Sequence, residues 1–416
     1  MSASYDIDEI SAYAPASLSY LRGSWTANVD WTVQLGHPIF ILLLFSGSSL
    51  LFGSEGVIPL FPWLDANVGA LRLVSVVFGT ATCLIAYYLV KEITHRQDAA
   101  IFSCILLAFD PISVGESSYG ILDPGMTFFY LASILFLYKY IKERKGRDLY
   151  CSAVLFGLSV ASKYFAFIAF PLFIGILLWK RELGKEWKSL VVFLCIGVLV
   201  FFIVQPYLWS NPLLPISETW KGLAYRLPGG HPVKVPGNPF LISTPDVRFG
   251  TDQNLASKPD FFTSWSEACQ SPWWYIFYIQ TMYSTPFQML IYPYAAFKII
   301  ESVFKRRTTD LTMMGSILPL VPSMLFVFLT VRLPQYAILS STSFIILGAV
   351  AFHNLDSRNE KRFLALLLTL HVGWVLYALA TSGNSTGWGF YVTPLTHFLA
   401  DFFHLMWKLA PTATLA

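Results

Sequence analysis

Residues 71–96, "LRLVSVVFGTATCLIAYYLVKEITHR", set a long apolar run against a short basic one. The run from near 67 to 90 meets the roughly 20 apolar residues that a helix needs to cross hydrocarbon. The basic hexapeptide 91–96 that follows marks the side of the membrane on which the helix ends, because Lys and Arg accumulate in cytoplasmic loops. The whole chain has the composition this reading requires. It is 416 residues long, 55% hydrophobic and 13% charged, with a mean hydropathy of +0.56, whereas a soluble domain carries about 25% charged residues. A helix in lipid satisfies its own backbone groups, so such a chain reads as an all-α polytopic membrane protein.

Further spans are expected near 99–115, 121–141, 188–207, 273–298, 311–330, 334–352, 362–382 and 390–408. The apolar stretch 149–179 is broken at "ASKYF" by Lys163 and reads as two short helices. That gives about eleven crossings by the same length rule. The basic segments "KEITHR" (91–96), "KERKGR" (142–147), "KRELGKEWK" (180–188), "KRR" (305–307) and "RNEKR" (358–362) then all fall on one side, the cytoplasmic one. Residues 1–66 form the first outer loop. Within it, 38–60 is apolar but starts and ends outside, so it lies along the interface or dips in and returns. Residues 208–272 form a second, long outer loop. The chain is a single membrane domain, 1–416.

Several function classes drop out. The net charge of +3 comes without a basic run interleaved with aromatics, so no nucleic-acid partner is expected. Cys83, Cys104, Cys151 and Cys195 lie in apolar segments and only Cys269 lies in a polar loop, so no disulfide framework is implied. The polar, acidic first residues lack the apolar core of a signal peptide. What remains is an outer face that collects Asp6, Asp8, Glu9, His37, Asp110, Glu116, Asp123, Lys163, His231 and Arg332. Charged groups this close to hydrocarbon are costly and usually functional. Acids gathered with Lys and Arg at one face suit glycosyl or phosphoryl transfer.

The order of motifs resembles the GT-C membrane glycosyltransferases, in the protein O-mannosyltransferase and aminoarabinose transferase branch. The resemblance rests on "DEISAY" (8–13), "HP" (37–38), residues 71–92 and "GESSYGILDPGMTFFYLA" (115–132). It continues through "GLSVASKYFAF" (157–167), "QPYLWSNP" (205–212), "SPWWYIFY" (271–278) and "RLPQYAILSSTSF" (332–344). Two departures stand out. The family's transmembrane helix before the acidic loop has no counterpart here, so the chain is either a fragment or a member without it. The Arg that mannosyltransferases usually carry before their "ILLD"-like motif is replaced by Ser118 and Tyr119 in "SSYGILD".

The resemblance implies a GT-C-like bundle that takes a polyprenyl or dolichyl phosphate sugar, most often mannose, and passes it with inversion to an acceptor hydroxyl. The acceptor is a protein Ser or Thr, or a lipid or glycan. Attack requires a carboxylate within hydrogen-bond reach of the hydroxyl. Asp8, first of the Asp-Glu pair, is the expected base and Glu9 orients it or the acceptor. The transition state resembles an oxocarbenium ion. The lipid-phosphate leaving group needs cations in a water-poor pocket; Lys163, Arg332 with Tyr336, and Arg72 are the expected donor-phosphate ligands. Glu116 and Asp123 are supporting acids. His231 and Trp209 belong to an acceptor-binding loop, while His37 caps and orients the interfacial helix. No spacing of His, Cys and Asp makes a strong metal motif. A divalent ion, if one binds, would take Asp8, Glu9, Glu116 and Asp123 as hard oxygen ligands. A secondary transporter and an inactive scaffold subunit are the competing readings; transporters place ionisable groups near the bilayer midplane within internal repeats, and no repeat is visible. Substitution of Lys163 is expected to leave the fold intact.

Overall fold

The structure, a computed structural model, describes residues 38–52, 68–178, 183–209, 284–304, 337–353, 355 and 358–381. Among these residues every regular element is helical. In chain order they are α1 (Phe40–Phe52), α2 (Val68–Thr94), α3 (Gln97–Ala108), α4 (Pro111–Ser117), α5 (Asp123–Glu143) and α6 (Gly146–Ser162). Then come α7 (Phe170–Leu178), α8 (Leu183–Ile203), α9 (Pro286–Phe304), α10 (Ala337–His353) and α11 (Arg358–Thr381), with short 3-10 turns at Tyr164–Ala169 and Pro206–Leu208. One single helix among the described residues, α2, has the length and apolarity of a crossing, and the bent pair α3–α4 meets both tests together. The first outer loop before Pro38, the long loop beyond Trp209 and the expected spans at 311–330 and 390–408 lie outside the described residues.

The bundle centres on α5, which packs on α6 and α2; α8 lies against the far side of α6, and α3 lies against α2. The C-terminal helices join through α10, which packs on α3 and α9, with α11 against α9. Tyr130, Leu131, Ile134, Leu137 and Tyr138 of α5 are all buried in the core this produces.

The seam between α5 and α6 shows why these two helices pair. They run antiparallel through a two-residue connection, and Arg144 in the left-handed conformation closes α5. Ser133 Oγ donates to Ser152 O at 2.8 Å, and Ser152 Oγ donates back to Ser133 O at 2.9 Å. One level higher, Ser159 Oγ donates to Met126 O at 3.1 Å. Small hydroxyl residues let the backbones approach and supply hydrogen bonds where lipid offers none. On its other flank α6 crosses α8 through Gly157: a Cβ there would lie 2.6 Å from Gly197 O, too close for any side chain. Gly157→Ala is therefore expected to force the helices apart and to cost about 1–3 kcal/mol, the usual cost of overpacking. Thermal unfolding in detergent measures this, and an unchanged melting temperature would refute the contact.

The basic segments gather at one end of the bundle. Lys142 in the last turn of α5 pairs with Glu92 of α2 at 2.8 Å and approaches His95 Nε2 at 3.4 Å. Tyr140 OH meets Ser189 Oγ of α8 at 2.8 Å. Lys298 of α9 pairs with Glu360 at the start of α11 at 2.5 Å. Arg96 pairs with Asp98 and, by that hydrogen bond, holds its carboxyl below the ordinary carboxylate range. The sequence places these segments on one side, and the contact of 142–147 with 91–96 agrees with that; 305–307 and part of 180–188 lie outside the described residues. The break at "ASKYF" is also as expected. Lys163 stands in extended conformation between α6 and the 3-10 turn that leads into α7. The span expected over 99–115 is bent: α3 and α4 meet at 56°. Pro111 causes the bend, because it lacks an N–H and disfavours helical backbone in the residue before it.

Candidate functional site

Opposite the basic segments, residues 109–125 form a compact turn that carries three buried acids. Asp110 and Asp123 are 0% exposed and Glu116 1%. The sequence makes this turn locally. Asp110 caps α4, accepting from Ser113 N at 2.8 Å and from Ser113 Oγ at 2.6 Å. Pro111 fills the first helical position, where no N–H is required. Asp123 and Pro124 then open α5, with the acid in the first turn, where the helix dipole favours it.

Three neighbours hold the turn in place. From α2, Ser75 Oγ donates to Ile121 O at 3.1 Å, and the Arg72 guanidinium lies 5.4 Å from the centre of the Tyr119 ring. Also on α2, Gly79 allows Ser117 to sit where a Cβ would otherwise lie 2.2 Å from its hydroxyl. From the end of α6, Lys163 Nζ donates to Asp123 Oδ1 at 2.7 Å and to Oδ2 at 2.8 Å, with the lysine 1% exposed. From the C-terminal helices, Gln288 Nε2 of α9 donates to Asp110 Oδ1 at 2.7 Å. The last contact extends inward. Gln288 Oε1 accepts from Thr285 N at 3.0 Å, and the Thr285 hydroxyl meets His371 Nδ1 of α11 at 2.8 Å.

A second amide fixes α1. Gln205 is buried; its Oε1 accepts from Ile39 N at 3.0 Å and its Nε2 donates to Ala161 O at 3.0 Å. It thereby ties the start of the expected interfacial helix to the turn before Lys163. Alongside, α1 and α2 line an apolar groove of about 680 Å³ with Leu43, Gly47, Leu50, Leu73, Val77 and Phe78.

Of the residues singled out from sequence, Asp123 and Lys163 come together as an ion pair, Glu116 is buried in the same turn, and Arg72 reaches that turn. Trp209 is 61% exposed and donates through Nε1 to Phe202 O at 3.1 Å. Asp8, Glu9, His37, His231, Arg332 and Tyr336 lie outside the described residues. Among the described residues no group of three or more His, Cys, Asp or Glu side chains could hold a metal ion, and both oxygens of Asp123 face Lys163. The sequence reading missed Gln205 and Gln288. Their only signal is an amide in an apolar stretch, "FFIVQPY" and "TPFQMLIY", which costs free energy unless it is hydrogen-bonded.

Comparison with known proteins shows what the chain is similar to. Residues 36–209 match the family described as dolichyl-phosphate-mannose-protein mannosyltransferase. Protein O-mannosyl-transferase 2 of Danio rerio is 28% identical over 114 residues, 26% of this chain and 15% of the relative. The undecaprenyl phosphate-alpha-4-amino-4-deoxy-L-arabinose arabinosyl transferase of Pseudomonas aeruginosa (strain LESB58) is 26% identical over 144 residues, 33% of this chain and 26% of the relative. The crystal structure of ArnT from Cupriavidus metallidurans bound to undecaprenyl phosphate superposes with a TM-score of 0.56 at 14% identity, over 98% of this chain and 72% of that one. The fold is therefore that of ArnT, and the protein is a membrane protein. Over residues 36–209 the chain is similar to that mannosyltransferase family. It spans about a quarter or less of the length of these two curated relatives.

Proposed function

We propose that the protein is an inverting glycosyltransferase that uses a polyprenyl-phosphate sugar, mannose by preference, and glycosylates an acceptor hydroxyl on the extracytoplasmic face. The observation that carries this reading is the buried Asp123–Lys163 pair, set with Glu116 and Asp110 at the end of the bundle opposite the basic segments. The likeness to relatives that use dolichyl- or undecaprenyl-phosphate sugars supports it. So does the apolar groove between α1 and α2, which suits a polyprenyl chain better than a solute.

In this reading the acceptor oxygen attacks the anomeric carbon while the bond from that carbon to the phosphate oxygen breaks. The bonding pair leaves with the lipid phosphate, and the acceptor proton passes to Asp8, with Glu9 holding the geometry. Arg72, Lys163, Arg332 and Tyr336 face the phosphate. Lys163 acts there as one half of its ion pair with Asp123, so the two meet the donor together. Arg332 can grip phosphate through two parallel hydrogen bonds. Trp209 and His231 border the acceptor.

Purified protein incubated with radiolabelled polyprenyl-phosphate mannose tests the reading. Transfer to acceptor, or slow hydrolysis without one, supports it. Flux of a solute into vesicles with the donor left intact would replace it with the transporter reading. Absence of both would leave a scaffold subunit. The face is tested separately: Ser4→Cys should react with an impermeant thiol reagent from outside and Lys145→Cys should not, and the reverse pattern inverts the topology.

A further inference from the structure

The geometry points to Gln288 as a positioning residue that locks the acid-bearing turn through Asp110. Four observations converge on it. Asp110 is fully buried, and Gln288 is fully buried opposite it, 178 positions further along the chain. Asp110 uses one oxygen for the cap of α4 and the other for Gln288, so the two jobs are split between Oδ2 and Oδ1. The Gln288 amide cannot turn over, because its Oε1 accepts from Thr285 N while its Nε2 serves both Asp110 and Tyr292 OH. Thr285 in turn meets His371, so α9 and α11 both stand behind the contact.

The consequence follows from where Asp110 sits. It starts α4, the seven-residue helix that carries Glu116 and leads to Asp123 and its partner Lys163. α4 is too short to hold its own position, since a helix of about two turns is marginal without tertiary support. Its α3 side ends in the bend at Pro111, so the first turn of α4 depends on Asp110 for its direction. Gln288 therefore sets the placement of the acids from the opposite half of the chain, without belonging to their turn. This inference rests on the catalytic reading only for its activity arm.

The test uses the full chain in detergent or nanodisc and two readouts. Amide hydrogen exchange over residues 109–125 should rise on the order of tenfold in Gln288→Ala, the factor expected when one buried hydrogen bond is lost. Exchange in the connection at 143–146 should stay unchanged. The decisive variant reverses the polarity of the pair. Gln288→Glu alone sets two carboxylates face to face, and Asp110→Asn alone sets its amide N–H donors against the Gln288 N–H donors or, flipped, against the Ser113 N–H. The double variant Asp110→Asn/Gln288→Glu restores the match: the introduced amide accepts from Ser113 through its oxygen and donates through its nitrogen to the introduced carboxylate. Protection over 109–125 should return in the double variant and be lost in each single one. Sugar transfer should follow the same order, falling about 10- to 100-fold in the single variants, as a displacement of about 1 Å at reacting groups does. Wild-type protection in Gln288→Ala, or a double variant no better than the singles, overturns the inference. Turnover at the wild-type level in Gln288→Ala with raised exchange overturns the positioning role. If the wild type transfers no sugar, the proposed activity fails, and exchange still decides whether Gln288 holds the turn.

Discussion

Lys163→Ala is expected to destabilise the protein by about 3–5 kcal/mol, the usual cost of removing one partner from a buried ion pair. The total stability of a domain is only about 5–15 kcal/mol, so the variant should express poorly and melt well below wild type. This reverses the expectation from sequence that the fold would tolerate removal of Lys163. The structure explains the reversal. Lys163 is 1% exposed and Asp123 is 0% exposed, and the lysine donates to both carboxylate oxygens. Deleting the lysine leaves a buried carboxylate without its cation. The double variant Asp123→Leu/Lys163→Met separates structure from function. Replacing both charges with apolar groups of similar size is often neutral for stability, so the double variant should melt near wild type. If the pair also meets the donor phosphate, the double variant should still fail to bind polyprenyl-phosphate sugar. Donor affinity equal to wild type in a well-folded double variant would restrict the pair to a structural role. Scanning calorimetry and donor titration in detergent give both answers.

The second large effect concerns the proposed base. Asp8→Asn keeps the size and polarity of the side chain but removes its capacity to take the acceptor proton. Turnover should fall by about 10² or more, the typical contribution of general base catalysis. That corresponds to about 2.7 kcal/mol or more of lost transition-state stabilisation. Donor binding should change little, because the base acts on the acceptor. Asp6→Asn, two positions away, is the control and should turn over normally. Single-turnover measurement at saturating donor reads the chemical step directly. Normal turnover by Asp8→Asn with loss in Asp6→Asn would move the base to Asp6.

What the sequence made legible was the pattern of apolar length against charge. The helices α2, α5 and α10 stand close to where that pattern puts them, because spans of this kind are set by hydrocarbon thickness more than by local propensity. The break at Lys163 was visible for the same reason: a charge inside an apolar run needs an exit from the helix or a partner. The sequence showed the need but not which answer applied, and the structure supplies both a break and a partner in Asp123. The bend at Asp110–Pro111 carried its own signal in the dipeptide, which the uniform hydropathy of 99–115 obscured. Gln205 and Gln288 were illegible for a different reason. A neutral amide has no sign to complement, and its partners lie far away in the chain: Ile39 is 166 positions from Gln205 and Asp110 is 178 from Gln288. Of the candidate site, the sequence named Asp110, Glu116, Asp123 and Lys163, which the structure buries at one end of the bundle, but not the pairing of Asp123 with Lys163.

The serine rungs between α5 and α6 also fix a residue count. Ser133 meets Ser152, Met126 meets Ser159 and Asp123 meets Lys163, so contacts at several heights must stay in step at once. Inserting or deleting one residue inside either helix between two rungs would rotate everything beyond it by about 100° and shift it by about 1.5 Å. The lower rung could then survive only if the upper ones parted, and the ion pair is the uppermost. A side chain can be exchanged in this hairpin at graded cost, but its length cannot drift. Changes of length in this half of the chain must be absorbed outside 123–133 and 152–163.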